Sequence, residues 1–339
     1  MKTFNDFINS IKDQNDLTVN ESKKAFDQIL SQKIEEKKII DFLTSLSRKG
    51  ESVNEILGAV KSIKKKAKII SGFKNSLDTC GTGGDGSKTF NISTTVAIIC
   101  SSCNVCIAKH GNKAVSSLSG SADVMTELGV KIDIDQDTIK KCLKEIGLCF
   151  LFAPNFHPIL KNVAEIRKSI GKRTIFNILG PLLNPVESNM QLIGVYDKDL
   201  KLNVAEVLKQ TGSKKAWVVS GFDGLDELTI TDKNYIVELD NGKIKEFILD
   251  PSKIGITKCK KNELIGNNPK ENAKIILDIL SNKINGAKKD IVLYNCAAAL
   301  MIAGKTESIS SGFQIANDAI KSGSALNKLN NLIKISNNQ

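Results

Sequence analysis

The sequence predicts an α/β protein with a small all-helical N-terminal domain and a larger α/β domain. The first part of the chain shows only helical hydrophobic spacing, and from Leu77 onward short apolar runs alternate with helical segments. A chain of 339 residues, 41% of them hydrophobic, is long enough for two domains. We expect the helical domain over 1–70 and the α/β domain over 74–339, with a central mixed, mainly parallel sheet flanked by helices.

Several short helices are predicted before residue 68, where four groups of apolar residues recur at helical spacing. Two of these helices begin with a capping box, at Thr18-x-x-Glu21 and Ser52-x-x-Glu55. The four groups are Phe4, Phe7, Ile8 and Ile11; Phe26, Ile29 and Leu30; Ile39, Ile40, Leu43 and Leu46; and Ile56, Leu57, Val60 and Ile63.

The α/β region contains four candidate strands, four candidate helices and one hairpin. The hairpin lies in "YIVELDNGKIKEFIL", where Asn241-Gly242 supplies the positive φ angles of a tight turn. The candidate strands are Val105–Ala108, Leu148–Phe152, Leu192–Tyr196 and Ala216–Val219. The candidate helices are Ser121–Leu128, Thr138–Ile146, Leu202–Lys209 and Lys270–Leu280.

Composition indicates a soluble globular protein of the cytoplasm without a membrane partner. No apolar run reaches the length of a membrane span, and the longest, Ile291–Ala303, is interrupted by Asn295 and indicates a buried helix. The N-terminus lacks the apolar stretch of a signal peptide. The spacing of the eight cysteines predicts no disulfide framework.

One cysteine pattern, Cys100-x-x-Cys103-x-x-Cys106, is similar to part of an iron–sulfur run. The position of a fourth ligand is occupied by His110, and the flanking residues are apolar. These features favour packing in the core over a metal cluster.

The net charge of +11 is compatible with a nucleic acid or with a small anionic substrate as the partner. Lysines are scattered over many predicted helices, with acidic residues between them and few aromatic residues. This pattern favours a solvated surface over a nucleic-acid-binding stripe.

The stretch "LDTCGTGGDGSKTFNIST", Leu77–Thr94, predicts a strand followed by a glycine-rich loop. Glycines let the backbone approach a ligand closely and direct several N–H groups toward one anion. The spacing matches neither a dinucleotide fingerprint nor a P-loop. The loop therefore predicts a phosphate or pyrophosphate site, although a glycine-rich turn alone is often only a turn.

Two further segments support the phosphate site. In "AKHGNKAVSSLSGSAD", Lys109 can place a point charge on phosphate, and Ser119 or Ser121 can add hydrogen-bond donors. In "GFDGLDEL", Asp226 and Glu227 follow a strand, and adjacent carboxylates beside phosphate are typical of Mg²⁺ ligands. A solvated acidic turn is the alternative interpretation.

The chain resembles the anthranilate phosphoribosyltransferase family of tryptophan biosynthesis. Five segments match in order: "DTCGTGGDGSKTFNIST", "KHGNKAVSSLSGSADVMTELGV", "FAPNFHPILKNVAEIRKSIGKRTIFNILGPLLNP", "GFDGLDE" and "NCAAALMIAGK…SG". The resemblance implies transfer of the phosphoribosyl group of 5-phosphoribosyl 1-pyrophosphate (PRPP) to the amine of anthranilate. It also implies a homodimer formed through the helical domains, and a segment near 163–180 that returns to the helical domain.

The resemblance further implies a set of substrate and metal contacts, and no side chain is expected to act as a nucleophile. PRPP would contact Gly81, Thr82, Gly83, Gly84, Asp85, Thr89, Asn91, Ser93, Thr94, Lys109, Asn112 and Ser121. Two Mg²⁺ ions per monomer would use Ser93, Asp226 and Glu227. Anthranilate would contact Gly81, His110, Asn112, His157 and Arg167, with Arg167 pairing with its carboxylate.

Three positions differ from the family pattern: Lys113 replaces an arginine, Glu165 a frequent proline, and Ser220 a frequent histidine. At Lys113 a bidentate phosphate contact becomes a single point charge, and none of the three changes removes a metal or phosphate ligand. Two alternatives share the fold, a pyrimidine nucleoside phosphorylase and a nucleic-acid-binding relative without the anthranilate site. Arg167 and the segments "KHGN" and "DGLDE" argue against the second, and the first lacks "FNILGPLLNP" and "DGLDE" in this form.

Overall fold

The computed structural model describes residues 2–114 and 118–338, and its N-terminal part is a bundle of four helices. The helices are α1 (Phe4–Lys12), α2 (Val19–Leu30), α3 (Glu36–Lys49) and α4 (Val53–Lys64). Both predicted capping boxes are confirmed, with the Thr18 and Ser52 hydroxyls accepting hydrogen bonds from Glu21 and Glu55. Helices α2 and α4 pack together, as do α1 and α3.

The rest of the chain forms a seven-stranded sheet flanked by helices, which confirms the predicted fold class. The strands are β1 (Leu77–Gly81), β2 (Ile107–Gly111), β3 (Leu148–Phe152), β4 (Met190–Gly194), β5 (Lys215–Gly221), β6 (Asn234–Asp240) and β7 (Lys243–Leu249). Their order in the sheet is β3-β2-β1-β4-β5-β6-β7. The first five strands are parallel, and β6 and β7 are antiparallel.

The described residues after the N-terminal bundle also form eleven α-helices. They are α5 (Ile92–Ser102), α6 (Ser121–Glu127), α7 (Gln136–Lys141), α8 (Ala153–Phe156), α9 (Ala164–Ile170), α10 (Phe176–Leu179), α11 (Leu200–Gln210), α12 (Pro269–Leu280), α13 (Ala287–Ile302), α14 (Ile309–Lys321) and α15 (Ser324–Ser336). Shorter helical turns are a π turn at Cys142–Ile146 and 3₁₀ turns at Pro158–Val163, Gly180–Leu183, Pro251–Ile254 and Lys261–Leu264.

Strand β2 begins and ends later than predicted. The run Val105–Ala108 was expected, but the strand covers Ile107–Gly111 because Lys109 and His110 are buried within it. The prediction ended the strand at the first polar residue. Strand β4 begins earlier than predicted, at Met190, and ends at Gly194, so Tyr196 lies beyond it.

The predicted hairpin is confirmed, with φ angles of 46° at Asn241 and 85° at Gly242. The helix predicted over Thr138–Ile146 is shorter than expected, because α7 changes to a π turn at Cys142. Cys100 is buried in α5, and no cluster of three metal-binding side chains occurs in the described chain. No helix within 2–114 and 118–338 is long and apolar enough to cross a membrane.

The two faces of the sheet face two separate hydrophobic cores. Neighbouring residues of one strand alternate between them, as Leu192 and Ile193 do in β4. The first core contains α5 and α12–α15. The second core continues from the other face of the sheet, through α10 and α11, into the N-terminal bundle.

Candidate active site

The two predicted loops and the Asp226–Glu227 pair lie at the carboxyl ends of the parallel strands. Strand β1 lies between β2 and β4, so the chain turns in opposite directions after β1 and after β4. Ligands of open α/β sheets bind at such a switch point. The ends of the two strands meet there, with Gly81 paired to Gly194.

The glycine-rich loop after β1 adopts a backbone conformation that favours glycine. The φ angles are 68° at Gly83, 77° at Gly84 and 76° at Gly86, all in the left-handed region. Helix α5 begins after the loop, and the N–H groups of its first turn have no partner within the helix. A glycine loop that leads into a helix N-terminus is a common site for phosphate.

The start of this loop is anchored to strand β4 and the segment that follows it. The Thr82 backbone N–H donates to the Gly194 carbonyl at 2.9 Å. The Thr82 hydroxyl accepts a hydrogen bond from the Tyr196 N–H at 3.1 Å. Thr82 is therefore held on both its main chain and its side chain.

Lys109 provides a buried cation beside the loop. Its side chain is in strand β2 and the residue is only 3% exposed. The ammonium donates to the Thr79 carbonyl at 2.6 Å and to the Ser93 hydroxyl at 3.3 Å. An ammonium has three donors, so one remains for an anionic ligand.

Asp226 and Glu227 lie against the glycine loop and are each 8% exposed. The Gly83 N–H donates to Asp226 Oδ2 at 2.6 Å, and the Asp226 N–H donates to Asp85 Oδ2 at 3.4 Å. Burial, reinforced by the charge of Asp85, raises the pKa of Asp226 to about 7. Burial, reinforced by the charge of Asp226, raises the pKa of Glu227 to about 8. Both carboxylates therefore lack sufficient compensating positive charge.

The residues around this pair fit Mg²⁺. Carboxylate oxygens and the Ser93 hydroxyl are hard oxygen donors, and Lys109 is the cation that lowers the pKa of Glu227. Within 2–114 and 118–338, no three His, Cys, Asp or Glu side chains form a complete metal site. Mg²⁺ usually takes one or two carboxylates and obtains its other ligands from substrate phosphates and water.

The second loop, after β2, folds back onto the start of α6. The Asn112 carbonyl accepts hydrogen bonds from the Ala122 N–H at 3.1 Å and the Ser121 hydroxyl at 3.3 Å. Asp123 Oδ2 closes the loop by accepting from the N–H groups of Ala114 and Gly120 at 2.8 and 3.0 Å. Three residues of the predicted motif, at 115–117, lie outside the described residues.

Asn91 connects the two loops at the start of α5. Its Oδ1 accepts from Asn272 Nδ2 at 3.0 Å and from the Ser119 hydroxyl at 3.2 Å. Thr89 lies just before it and pairs with Ile265 in an isolated β-bridge. The buried Thr94 hydroxyl has no hydrogen-bond partner among the described residues.

His110 and His157 form a buried pair with ring centroids 5.4 Å apart. His110 Nδ1 lies 3.3 Å from the Gly180 carbonyl, and His157 Nε2 lies 2.7 Å from the Leu183 carbonyl. Because a carbonyl oxygen only accepts, each of these nitrogens carries the proton. Burial lowers the pKa of His110 to about 3 and lowers the pKa of His157, so both rings are neutral.

Arg167 lies on α9, with its guanidinium carbon 5.1 Å from the centroid of the Phe176 ring. Burial lowers the pKa of this arginine. The ion pairs of the described residues leave it without a carboxylate partner. No hydrogen bond, ion pair or ring contact among the described residues joins Arg167 to the other predicted site residues, so its role there stays a prediction.

Two residues near the site were missed by the sequence analysis. Arg173 donates to the Gly84 carbonyl, and its guanidinium carbon is 4.1 Å from the Tyr196 ring centroid. Asp78, fully buried in β1, accepts from the His110 N–H at 3.1 Å and from Asn184 Nδ2 at 2.8 Å. A charged residue within a predicted strand was the available signal for Asp78.

Comparison with known proteins gives consistent matches over both parts of the chain. Residues 74–326 match the model of the glycosyl transferase family a/b domain, and residues 5–67 match that of its helical bundle domain. The anthranilate phosphoribosyltransferase of Methanobrevibacter smithii is 46% identical over 323 residues, covering 95% of this chain and 96% of that protein.

Two solved structures have the same fold over nearly the whole chain. Anthranilate phosphoribosyltransferase from Thermus thermophilus has a TM-score of 0.91 at 32% identity, covering 98% of this chain and 99% of that one. The Saccharomyces cerevisiae enzyme, in complex with PRPP and Mg, has a TM-score of 0.91 at 30% identity, covering 99% and 98%. The chain belongs to the anthranilate phosphoribosyltransferase family.

Proposed function

We propose that the protein transfers the phosphoribosyl group of PRPP to the amine of anthranilate, in tryptophan biosynthesis. The products are N-(5-phosphoribosyl)anthranilate and pyrophosphate. The observation that carries this proposal is the buried Asp226–Glu227 pair against the glycine loop, at the switch point of the sheet. Near-full-length similarity to enzymes of this name supports the choice of substrates.

The reaction exchanges one bond at the anomeric carbon of the ribose. The bond from this carbon to the pyrophosphate oxygen breaks, and the nitrogen lone pair of anthranilate forms the new bond. One proton then leaves the nitrogen. Positive charge develops on the ribose and negative charge on the leaving group, so the protein must orient both substrates and stabilise the pyrophosphate.

The residues of the switch point supply that stabilisation. Lys109 and the backbone of the glycine loop would bind the phosphate groups, together with Asn91 and Thr82. Mg²⁺ held by Asp226, Glu227 and Ser93 would neutralise the charge of the leaving pyrophosphate. The remaining proposed PRPP contacts are Gly81, Gly83, Gly84, Asp85, Thr89, Thr94, Asn112 and Ser121.

Anthranilate would bind through Arg167 and the two histidines, with Gly81 and Asn112 beside it. A half-buried arginine without an acidic partner in the described chain suits a carboxylate ligand. The neutral histidines keep one acceptor nitrogen each, His110 Nε2 and His157 Nδ1, and both atoms are buried without a partner in the described chain. Neutral rings can accept a hydrogen bond and do not compete with Arg167 for the carboxylate.

We further propose two Mg²⁺ ions per monomer, a homodimer formed through the helical domain, a cytoplasmic location, and the return of a segment near 163–180 to the helical domain. The return of this segment is supported by the Ser47 hydroxyl, which donates to the Arg173 carbonyl at 3.1 Å. Asn162, just before the segment, also donates from Nδ2 to the Leu30 carbonyl at 2.9 Å. The eight free cysteines agree with a reducing compartment.

The test is to mix the protein with anthranilate, PRPP and Mg²⁺ and to follow the loss of anthranilate fluorescence. We expect turnover that requires all three components. Asp226→Asn combined with Glu227→Gln should abolish it while the fold persists. Turnover by this double variant at the wild-type rate, at any Mg²⁺ concentration, would refute the metal site.

The alternatives predict different results from the same preparation. A pyrimidine nucleoside phosphorylase would cleave uridine with inorganic phosphate and would leave anthranilate unchanged. A nucleic-acid-binding relative would shift the mobility of DNA or RNA with a steep dependence on salt and would not turn over anthranilate. Either result without loss of anthranilate fluorescence would overturn the proposal.

A further inference from the structure

The backbone that directly follows the carboxylate pair is paired with two asparagine side chains. Asn295 Oδ1 accepts from the Leu228 N–H at 3.0 Å, and Asn295 Nδ2 donates to the Leu228 carbonyl at 2.8 Å. Asn234 Oδ1 accepts from the Thr229 N–H at 2.6 Å, and Asn234 Nδ2 donates to the Thr229 carbonyl at 2.9 Å. Each asparagine thus makes a reciprocal pair of hydrogen bonds with one residue.

The asparagine side chains satisfy backbone groups of residues 228–229 that a neighbouring strand would satisfy in a sheet. Leu228 and Thr229 lie between β5 and β6 but are in neither strand. Buried backbone groups require partners, and both residues are fully buried. The two asparagines, which are also 0% exposed, supply those partners from side chains.

Both asparagines are buried in regular secondary structure, one in a core helix and one in the sheet. Asn295 is in the middle of the buried helix α13, where its Nδ2 also donates to the Ile291 carbonyl at 2.8 Å. Asn234 is the first residue of β6 and pairs with Gly221 at the end of β5. The segment is therefore fixed to a core helix and to the sheet at once.

Asn295 is a polar residue within the apolar run of α13. Burying an amide is costly unless it is hydrogen-bonded, and an aliphatic residue would pack in a core helix without that requirement. Asn295 satisfies both donors and its acceptor, and two of the three bonds go to the residue next to Glu227.

We propose that Asn295 and Asn234 are positioning residues that hold Asp226 and Glu227 where they can bind Mg²⁺ and pyrophosphate. The proposal rests on the function proposed above. Asp226 is restrained on its other side by the Gly83 N–H, so the asparagines restrain the end of the carboxylate segment that the glycine loop does not reach. Residues that hydrogen-bond a metal ligand directly are worth about 10–100-fold in metal affinity. Asn295 and Asn234 bond the backbone one and two residues after Glu227, so we expect an effect near the lower end of that range.

The experiment measures metal binding directly, with Mn²⁺ as the probe. The preformed Mn²⁺–pyrophosphate complex is titrated into the full-length protein, and binding is followed by the enhancement of water-proton relaxation, because free pyrophosphate in excess would bind Mn²⁺ by itself. Asn295→Ala and Asn234→Ala should each raise the Kd for Mn²⁺ by about tenfold or more. Asn295→Ser is the milder variant if Asn295→Ala does not fold.

The matched control is Asn189→Ala. Asn189 is also buried, and its Nδ2 donates to Asn75 Oδ1 at 3.0 Å. It precedes β4 at the end of the sheet opposite to the carboxylate pair. We expect this variant to lose thermal stability as the other two do but to keep the wild-type Kd for Mn²⁺. If all three variants bind Mn²⁺ with the wild-type Kd, the asparagines only stabilise the fold, and the inference is overturned.

Asp226→Asn with Glu227→Gln separates this inference from the function beneath it. If the wild type does not bind Mn²⁺ with pyrophosphate, or if this carboxylate variant binds it equally well, the proposed metal site is wrong. If the wild type and the carboxylate variant behave as expected but Asn295→Ala and Asn234→Ala keep wild-type affinity, only the positioning role is wrong.

Discussion

Gly194→Ala tests whether the carboxylate pair must lie where the structure has it. Gly194 ends β4, and Asp226 packs directly on its α-carbon. A Cβ added at Gly194 would lie 1.5 Å from the Asp226 carbonyl oxygen and 2.3 Å from the carbonyl carbon. Both contacts involve backbone, so no side-chain rotation relieves them.

The overlap at Gly194 determines how far the Asp226 backbone must move in the variant, and therefore how much kcat should fall. A real Cβ essentially never lies within 3.0 Å of another heavy atom, so from a starting distance of 1.5 Å the Asp226 backbone must move by about 1.5 Å. A displacement of about 1 Å in an active site can lower the rate by about 100-fold. We therefore expect kcat to fall by about 100-fold or more, which corresponds to ~2.7 kcal/mol of activation free energy.

The assay is the loss of anthranilate fluorescence at saturating PRPP, measured over a range of Mg²⁺ concentrations. Gly212→Ala is the control, because Gly212 has a φ of 95° and a Cβ added there meets no atom of residues 2–114 and 118–338 within 4 Å. That variant should lose stability through backbone strain and keep its kcat. A folded Gly194→Ala protein with wild-type kcat and Mg²⁺ dependence would refute the reasoning.

Three further predictions concern the same site. In the metal-free protein, the pKa values of Asp226 and Glu227 are raised to about 7 and 8, so the folded state resists their ionisation. The free energy of unfolding is therefore highest below about pH 4, falls as the pH rises above that value, and has lost this contribution once the pH has risen through 7 and 8. Thermal melts should therefore show Asp226→Asn with Glu227→Gln to be more stable than the wild type at pH 8, with a much smaller difference at pH 5; an equal difference at both pH values would contradict this. Arg167→Ala should raise the KM for anthranilate far more than that for PRPP, by a factor equivalent to about 1.5–3 kcal/mol, in steady-state kinetics; equal effects would indicate a structural role. Gly83→Val should weaken PRPP binding in calorimetric titration, because its φ of 68° disfavours a β-branched residue in the conformation that lets the backbone approach the ligand. Thermal stability should change only modestly, since a Cβ at Gly83 meets no atom of the described residues within 4 Å; unchanged affinity in a folded variant would remove the loop from the site.

The sequence was sufficient for the fold class because hydrophobic spacing reports local structure directly. The helical spacing of the first 68 residues, the two capping boxes and the Asn241-Gly242 turn all corresponded to observed elements. The boundaries of β2 were wrong because Lys109 and His110 are polar and yet buried. Their burial depends on partners more than ten residues away along the chain, which spacing does not report.

The sequence predicts those parts of the candidate site in which the functional residues are close together along the chain. The glycine loop and the Asp226–Glu227 pair are recognisable because their residue types are unusual for a turn. That the Gly83 N–H contacts Asp226 was not predictable, since the two residues are 143 positions apart. Asn295 had a visible signal, an amide in an apolar run, but only the observed pairing with Leu228 connects it to the carboxylates.

The acidic side chains buried around Lys109 carry more negative charge than this lysine compensates. Asp78, Asp226 and Glu227 are all buried acids, and burial raises the pKa of Asp78 to about 6. Lys109 is the cation that acts on both Asp78 and Glu227, and its ammonium already bonds Thr79 and Ser93. Such a cluster destabilises the unliganded fold, and native proteins keep local conflicts of this kind chiefly at functional sites. A divalent cation bound with a polyphosphate would remove the conflict, because the metal compensates the carboxylates while the glycine loop and Lys109 compensate the phosphates. The same electrostatic imbalance that costs stability therefore favours binding of the metal and pyrophosphate together over binding of either one alone.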